Sequence, residues 1–256
     1  MTENLSKLSQ GIAGLYRAAK KRLLLLDYDG TLAEFADEPA QAKPTSEIIE
    51  LLRKLSTDTK NTVMILSGRD AKTLDEWFGK LPIGLVAEHG AFVKKNSEWN
   101  KVEGALSAWQ SKVLPILSEL VAKAPGSFVE SKQTALVWHY RTVQNLSSAK
   151  AEAAKLLKKL ESVAESHELR VTEEMLAVEV RPSCVDKGSA AEQWLKDKDI
   201  DFILCAGDST TDEDMFVAMP NQAITIKVGK GKTAAKYMVS SPAELLSLLT
   251  QLQHKL

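Results

Sequence analysis

The chain has 256 residues, 44% hydrophobic and 26% charged, with a formal net charge of −1. That length and apolar content build one large domain or two smaller ones with a true core; the near-zero charge argues against nucleic acid or an anionic membrane as partner. No apolar run is long enough to span a bilayer and the opening MTENLSKLSQG has no secretory apolar region. The two cysteines, Cys184 and Cys205, lie in or beside apolar strand-like sequence and read as buried free thiols, so a cytoplasmic protein is expected.

In chain order, Leu5, Leu8, Ile12, Leu15 and Tyr16 fall at helical spacing over residues 3–20. Leu23-Leu24-Leu25-Leu26 reads as a strand buried on both faces, as in a parallel sheet. A helix over 45–56, a buried strand over 62–66, a helix over 71–79 and a strand over 83–87 follow, the rhythm of a doubly wound sheet. The pattern then changes. A helix over 104–123, bent by Pro115, precedes short strands at 127–130 and 134–141, a helix near 147–166, and strands near 168–172 and 176–181. After Pro182 the α/β rhythm returns: a helix from Lys187 to about 198, a strand over 202–206, a helix near Thr211 with a Thr211–Asp214 capping spacing, a strand over 223–228, and a C-terminal helix from Ser241-Pro242. An α+β unit over 105–180 therefore reads as inserted into an α/β domain made of 1–104 and 181–256.

Four clusters sit at strand ends or helix starts, where open α/β sheets bind ligands. The first is Asp27-Tyr28-Asp29-Gly30-Thr31, with two carboxylates at i and i+2 directed the same way in an extended chain. Like charges so placed call for a shared proton or a hard divalent cation such as Mg2+. The second is Ser67-Gly68-Arg69, the third Lys187, the fourth Gly207-Asp208 through Asp214. Singly, each has a plain reading as a turn, a solvated lysine or a capped acidic helix start. Together they supply what phosphoryl transfer requires: Asp27 as in-line nucleophile, a metal held by Asp27, Asp208 and the Asp29 main-chain carbonyl, and Ser67 and Lys187 on the phosphate oxygens.

The order and spacing of these clusters resemble the four motifs of the haloacid-dehalogenase-like (HAD) phosphatases. DYDGTLAEFADEPAQA, ILSGRD, AEHGAF and GDSTTDEDMF together resemble the trehalose-6-phosphate phosphatases, over about 22–250. The resemblance implies a Rossmann-like HAD core with an inserted cap placed after the third strand. It implies Asp27 as nucleophile and Asp29 as general acid/base; Ser67, Gly68 and Lys187 as phosphate ligands; and a Mg2+ site of Asp27, Asp29 and Asp208, with Asp212 supporting the metal or Lys187. Arg69 would contact the ligand or the cap.

In the inserted unit, alternation places Leu136, Trp138 and Tyr140 on one sheet face, opposite Glu130, Lys132, His139, Arg141, Glu179 and Arg181. Such a face is ordinary for a two-layer sheet. The resemblance further implies that Glu130, Lys132, His139, Arg141 and Glu179, with Glu88 and His89, hydrogen-bond sugar hydroxyls as the cap closes, and that segments 95–104 and 181–183 are its hinges. His89 and His139 lack zinc-ligand spacing. The expectation is a monomeric Mg2+-dependent phosphatase for trehalose 6-phosphate, its substrate made by a separate synthase. The rivals are a phosphatase for another sugar phosphate, such as sucrose or mannose phosphate, and a non-catalytic sugar-phosphate sensor.

Overall fold

The computed structural model describes residues 2–36, 39–95, 97–105, 107–174, 176–196 and 199–253. The chain divides into two compact units, Met1–Asn100 with Asp186–Leu256, and Lys101–Val185.

The first unit begins with α1 (Thr2–Ala18), β1 (Arg22–Leu26), α2 (Ser46–Thr57), β2 (Asn61–Leu66), α3 (Ala71–Phe78), β3 (Gly84–Ala87), β4 (Phe92–Lys95) and β5 (Glu98–Lys101). The second unit contains α4 (Gln110–Lys123), β6 (Phe128–Ser131), β7 (Leu136–His139), α5 (Leu146–His167), β8 (Leu169–Glu174) and β9 (Ala177–Pro182). The first unit then resumes with α6 (Lys187–Glu192), β10 (Phe202–Gly207), α7 (Thr210–Ala218), β11 (Ile224–Val228), β12 (Tyr237–Val239) and α8 (Pro242–Gln253). Among the described residues, no helix is long and apolar enough to cross a membrane.

Eight strands form one sheet in the order β12-β11-β10-β1-β2-β3-β4-β5. The leucine run of β1 is central because both its faces must be covered. Leu24, Leu25 and Leu26 are fully buried, and β1 pairs in parallel with β10 on one side and β2 on the other. Arg22 starts the strand as a buried cation. Its guanidinium lies 3.9 Å from the Tyr16 ring centroid, and Nη1 donates to Asp58 Oδ2 at 2.7 Å, tying the entrance of β1 to α1 and the exit of α2. Thr45 caps α2 by accepting from the Ile48 amide at 3.3 Å.

Several expectations need correction. Leu15 is 62% exposed; the buried stripe of α1 runs through Ser9, Ile12, Ala13 and Tyr16, a set turned away from Leu15, and α1 packs on α8. The segment after β3 is not a plain linker: β4 pairs antiparallel with β3, and β5 extends the same sheet, so the second unit follows β5 rather than the third strand. The expected 104–123 helix starts at Gln110, and Leu106 lies outside the described residues. Cys184 is exposed because it falls in the turn after β9, whereas Cys205 is buried in β10.

The second unit is a four-stranded antiparallel sheet, β6-β7-β9-β8, backed by α4 and α5. Leu136, Trp138, Tyr140, Val178 and Val180 join Val113, Leu117 and Leu120 of α4 and Ala149, Ala153, Leu156 and Leu160 of α5 in one core. Trp138 and Tyr140 meet at a ring-centroid distance of 4.8 Å.

Candidate active site

The carboxyl ends of β1 and β10 lie side by side, since Leu26 is in register with Ala206 and the Asp27 amide donates to the Ala206 carbonyl at 3.0 Å. One residue past each strand end stands a carboxylate, Asp27 and Asp208. Asp27 is buried. Its Oδ1 accepts from Lys187 Nζ at 2.6 Å and its Oδ2 from Thr31 Oγ1 at 2.9 Å; Thr31 Oγ1 also lies 3.4 Å from Asp208 Oδ1. Lys187 is the first residue of α6, whose cap, Asp186, accepts from the Ser189 amide. Its ammonium is equally shared with Asp212, at 2.8 Å. Asp212 Oδ2 in turn accepts from the Asp208 and Ser209 amides at 3.0 and 2.9 Å. The capping box of α7 is therefore Ser209 with Asp212, not Thr211 with Asp214. The helix starts two residues earlier than its acidic run suggests, which aims Asp212 inward.

Burial opposes every charge in this group. Asp27 is pushed well above the usual carboxylate range by burial and by the Asp212 charge, against the pull of Lys187. Asp208 is pushed up to about 7 by burial and then by Asp212. Burial would raise Asp212 too, but the Lys187 ion pair and the Ser209 bonds hold it low. Lys187 is driven upward by Asp212 and Asp27 although burial opposes its charge. Asp27 and Asp212 thus share one ammonium with Asp208 alongside, and each of the three carboxylates offers an oxygen within 4.8 Å of the others. Carboxylates outnumber the ammonium between them, and every donor is a hard oxygen, a set that fits Mg2+. The backbone at Gly30, φ +78°, leaves room beside this cluster: a Cβ there would sit 2.4 Å from Asp208 Oδ2.

A metal held by this cluster would compete with a proton for Asp208. In the metal-free folded protein its carboxyl keeps a proton up to about pH 7, while an unfolded chain releases it near pH 4. Its contribution to stability is therefore lost as pH rises through about 7, and a bound cation restores it. Saturating Mg2+ is expected to raise the melting temperature more at about pH 8 than at about pH 5.5, read by thermal denaturation with EDTA as reference.

Asp29 is set apart from this cluster. Both its oxygens are taken by Arg69, Nε to Oδ2 at 2.8 Å and Nη2 to Oδ1 at 2.7 Å, and the guanidinium lies 4.5 Å from the Trp77 centroid. The two carboxylates of the first motif thus serve different partners, because β1 ends at Leu26 and Tyr28 is buried, its hydroxyl donating to the Ala42 carbonyl at 2.7 Å. Ser67 is buried at the end of β2, its amide donating to Val86 and its Oγ accepting from the Arg69 amide. Glu88 and His89 both hold left-handed backbone, φ 47° and 57°, uncommon for such residues. His89 packs so closely on Gly68 that a Cβ there would lie 2.5 Å from His89 Nε2. Thr31, Trp77 and Lys227 carry no role in the sequence reading. Thr31 bonds the nucleophile candidate, Trp77 backs Arg69, and Lys227 donates to the Asp208 main-chain carbonyl. The clue for Thr31 lay within the quoted first motif; Trp77 and Lys227 left no local signal.

In the second unit, by itself, the sheet face opposite the core carries linked polar groups. His139 Nε2 and Glu130 Oε2 lie 2.8 Å apart, and Lys132 lies 3.6 Å from Glu179. Burial would raise Glu130, but its bond to His139 and the charge of Lys132 hold it low. Arg141 is half-buried just past β7. Arg181 is buried rather than solvent-facing, donating to the Val185 carbonyl with Glu179 at 3.7 Å.

Comparison with known proteins agrees with this geometry. The trehalose-phosphatase family model matches residues 25–243. The chain is 40% identical over 239 residues to a bifunctional trehalose-6-phosphate synthase/phosphatase of Thermoproteus tenax, covering 93% of this chain and 33% of that protein. It is 37% identical over 280 residues to a trehalose-phosphatase of Saccharomyces cerevisiae, covering 91% and 31%. It spans about a third of the length of these curated relatives. The structure of the C. albicans trehalose-6-phosphate phosphatase C-terminal domain superposes with a TM-score of 0.91 at 33% identity, covering 96% of each chain. With a HAD-like α/β core, a buried Asp-Lys-Asp cluster at its strand ends and these likenesses, the chain belongs to the trehalose-phosphatase family.

Proposed function

We propose that this chain is a Mg2+-dependent phosphomonoesterase that hydrolyses trehalose 6-phosphate to trehalose and phosphate through a phosphorylated Asp27. The observation that carries the reading is the buried sharing of Lys187 between Asp27 and Asp212, with Asp208 alongside. Lys187 and Thr31 orient the Asp27 carboxylate; one of its oxygens forms the bond to phosphorus as the bond to the sugar oxygen breaks. Asp29, the partly exposed carboxylate of the same loop, exchanges its Arg69 bonds for a proton on substrate binding and gives that proton to the sugar oxygen. It then accepts a proton from the water that attacks phosphorus, releasing phosphate and restoring Asp27. Asp27 and Asp208 would hold Mg2+, with the Asp29 carbonyl, and Asp212 would anchor Lys187 behind them. The ion supplies positive charge to the phosphoryl oxygens. Ser67, Gly68 and Lys187 bind the remaining phosphate oxygens.

Arg69, Glu88 and His89, and in the second unit Glu130, Lys132, His139, Arg141 and Glu179, are proposed to contact the sugar. Directional, partly buried polar groups discriminate among polyhydroxylated ligands better than an apolar pocket does. In this reading the enzyme works as a cytoplasmic monomer on the product of a trehalose-phosphate synthase; the exposed thiol of Cys184 suits a reducing compartment. The test is phosphate release from trehalose 6-phosphate beside glucose, mannose and sucrose 6-phosphates, with Mg2+ or EDTA. Mg2+-dependent release mainly from trehalose 6-phosphate is expected. Preference for another sugar phosphate would overturn the substrate, and inactivity on all would overturn the enzyme.

A further inference from the structure

Phe35 is an apolar side chain, 40% exposed, in the segment that follows the first motif. A lone exposed phenylalanine is ordinary on a surface. This one is distinguished by its neighbours. A Cβ built on Gly30 would meet Phe35 Cε2 at 2.5 Å and Asp208 Oδ2 at 2.4 Å, so ring edge and carboxylate press on the same point of the catalytic loop. The loop is pinned there, since the Gly30 amide donates to the Ala33 carbonyl at 2.7 Å. The ring edge carries the positive lobe of the aromatic quadrupole and suits a carboxylate neighbour. Two-fifths of the residue stays exposed there, beside the carboxylates that would handle the phosphoryl group.

We propose that Phe35 is a specificity-determining residue whose ring receives the apolar C–H face of the sugar carried by the phosphomonoester. The inference rests on the phosphatase reading above and adds an apolar contact to a recognition surface otherwise assigned to polar groups. A sugar ring has both characters: hydroxyls around its rim and C–H bonds on its faces. An aromatic wall next to the phosphate site would favour ring-bearing phosphates over small acyclic ones.

The test compares Phe35→Ala, Phe35→Leu and Phe35→Trp with the wild type, on trehalose 6-phosphate, on glucose 6-phosphate and on acetyl phosphate, which has no ring. Loss of an aromatic contact is expected to raise KM for both sugar phosphates about three- to ten-fold in the Ala and Leu variants. Hydrolysis of acetyl phosphate and inhibition by inorganic phosphate are expected to stay unchanged, and Trp to restore the sugar KM. Leu keeps an apolar prop under the Gly30 loop while removing the aromatic face. Equal losses on acetyl phosphate, or full rescue by Leu, would reduce Phe35 to a prop and overturn the proposal, as would an unchanged sugar KM. A wild-type enzyme that cleaves acetyl phosphate but no sugar phosphate would instead overturn the substrate reading itself, and this inference with it.

Discussion

Asp27→Asn is expected to lower turnover by on the order of 10^4-fold or more while leaving the metal-free protein at least as stable as the wild type. The amide has the carboxylate's shape. Its oxygen can still accept from Lys187 and its nitrogen can still face Thr31, so the local bonds survive. What it lacks is an anionic oxygen able to bond phosphorus. What it also lacks is charge, and the charge of Asp27 is opposed by burial and by Asp212 and Asp208. Removing it relieves repulsion wherever no cation is present. Steady-state phosphate release and thermal melting in EDTA, on the same preparation, measure the two halves. A variant that loses activity together with several degrees of melting temperature would show that Asp27 supports the fold rather than the chemistry.

Lys187→Met is expected to cost about 3–5 kcal/mol of stability, as well as activity, because it strands the buried carboxylates of Asp27 and Asp212. Methionine fills much of the lysine stem, so the loss reports charge rather than volume. Adding Asp212→Asn should return a large part of that stability, since the two changes act on one ion pair and do not add. It should return no turnover, because the ammonium proposed to bind phosphate is still missing. Urea unfolding midpoints in EDTA for the single and double variants give the comparison. Additive destabilisation would mean that Asp212 is held by Ser209 and the α7 amides alone.

What the sequence made legible follows from how each element is buried. Strands β1, β2 and β10 announced themselves because runs such as Leu23–Leu26 and Phe202–Ala206 are apolar at every position, as strands covered on both sides must be. The strands β4, β5 and β12 did not. Glu98–Lys101 is mostly exposed and Tyr237–Val239 is three residues long, so neither alternation nor a continuous run marks them. The start of α7 was misplaced because two acidic residues at capping distance from hydroxyl residues compete in one stretch, and only packing decides which turns inward. Within the site, Asp27, Lys187, Asp208 and Asp212 were visible as chemistry at strand ends. The bidentate Arg69–Asp29 pair was not. It joins two motifs through the orientation of one guanidinium, and that orientation depends on Trp77 in α3.

The pairing of Leu26 with Ala206 has a consequence for how such a chain can vary. Asp27 and Asp208 are neighbours because two strands, remote in sequence, share a hydrogen-bonded ladder, and the ladder is fixed by what each strand buries. The second unit lies outside that ladder. Everything from Lys101 to Val185 can lengthen, shorten or be exchanged without changing the spacing of the two carboxylates, whereas one residue inserted within Leu23–Leu26 would turn the strand over and dismantle the pair. Tolerance of change in this molecule is thus divided sharply: five residues of β1 are held to a single alignment, and the second unit is not bound by it.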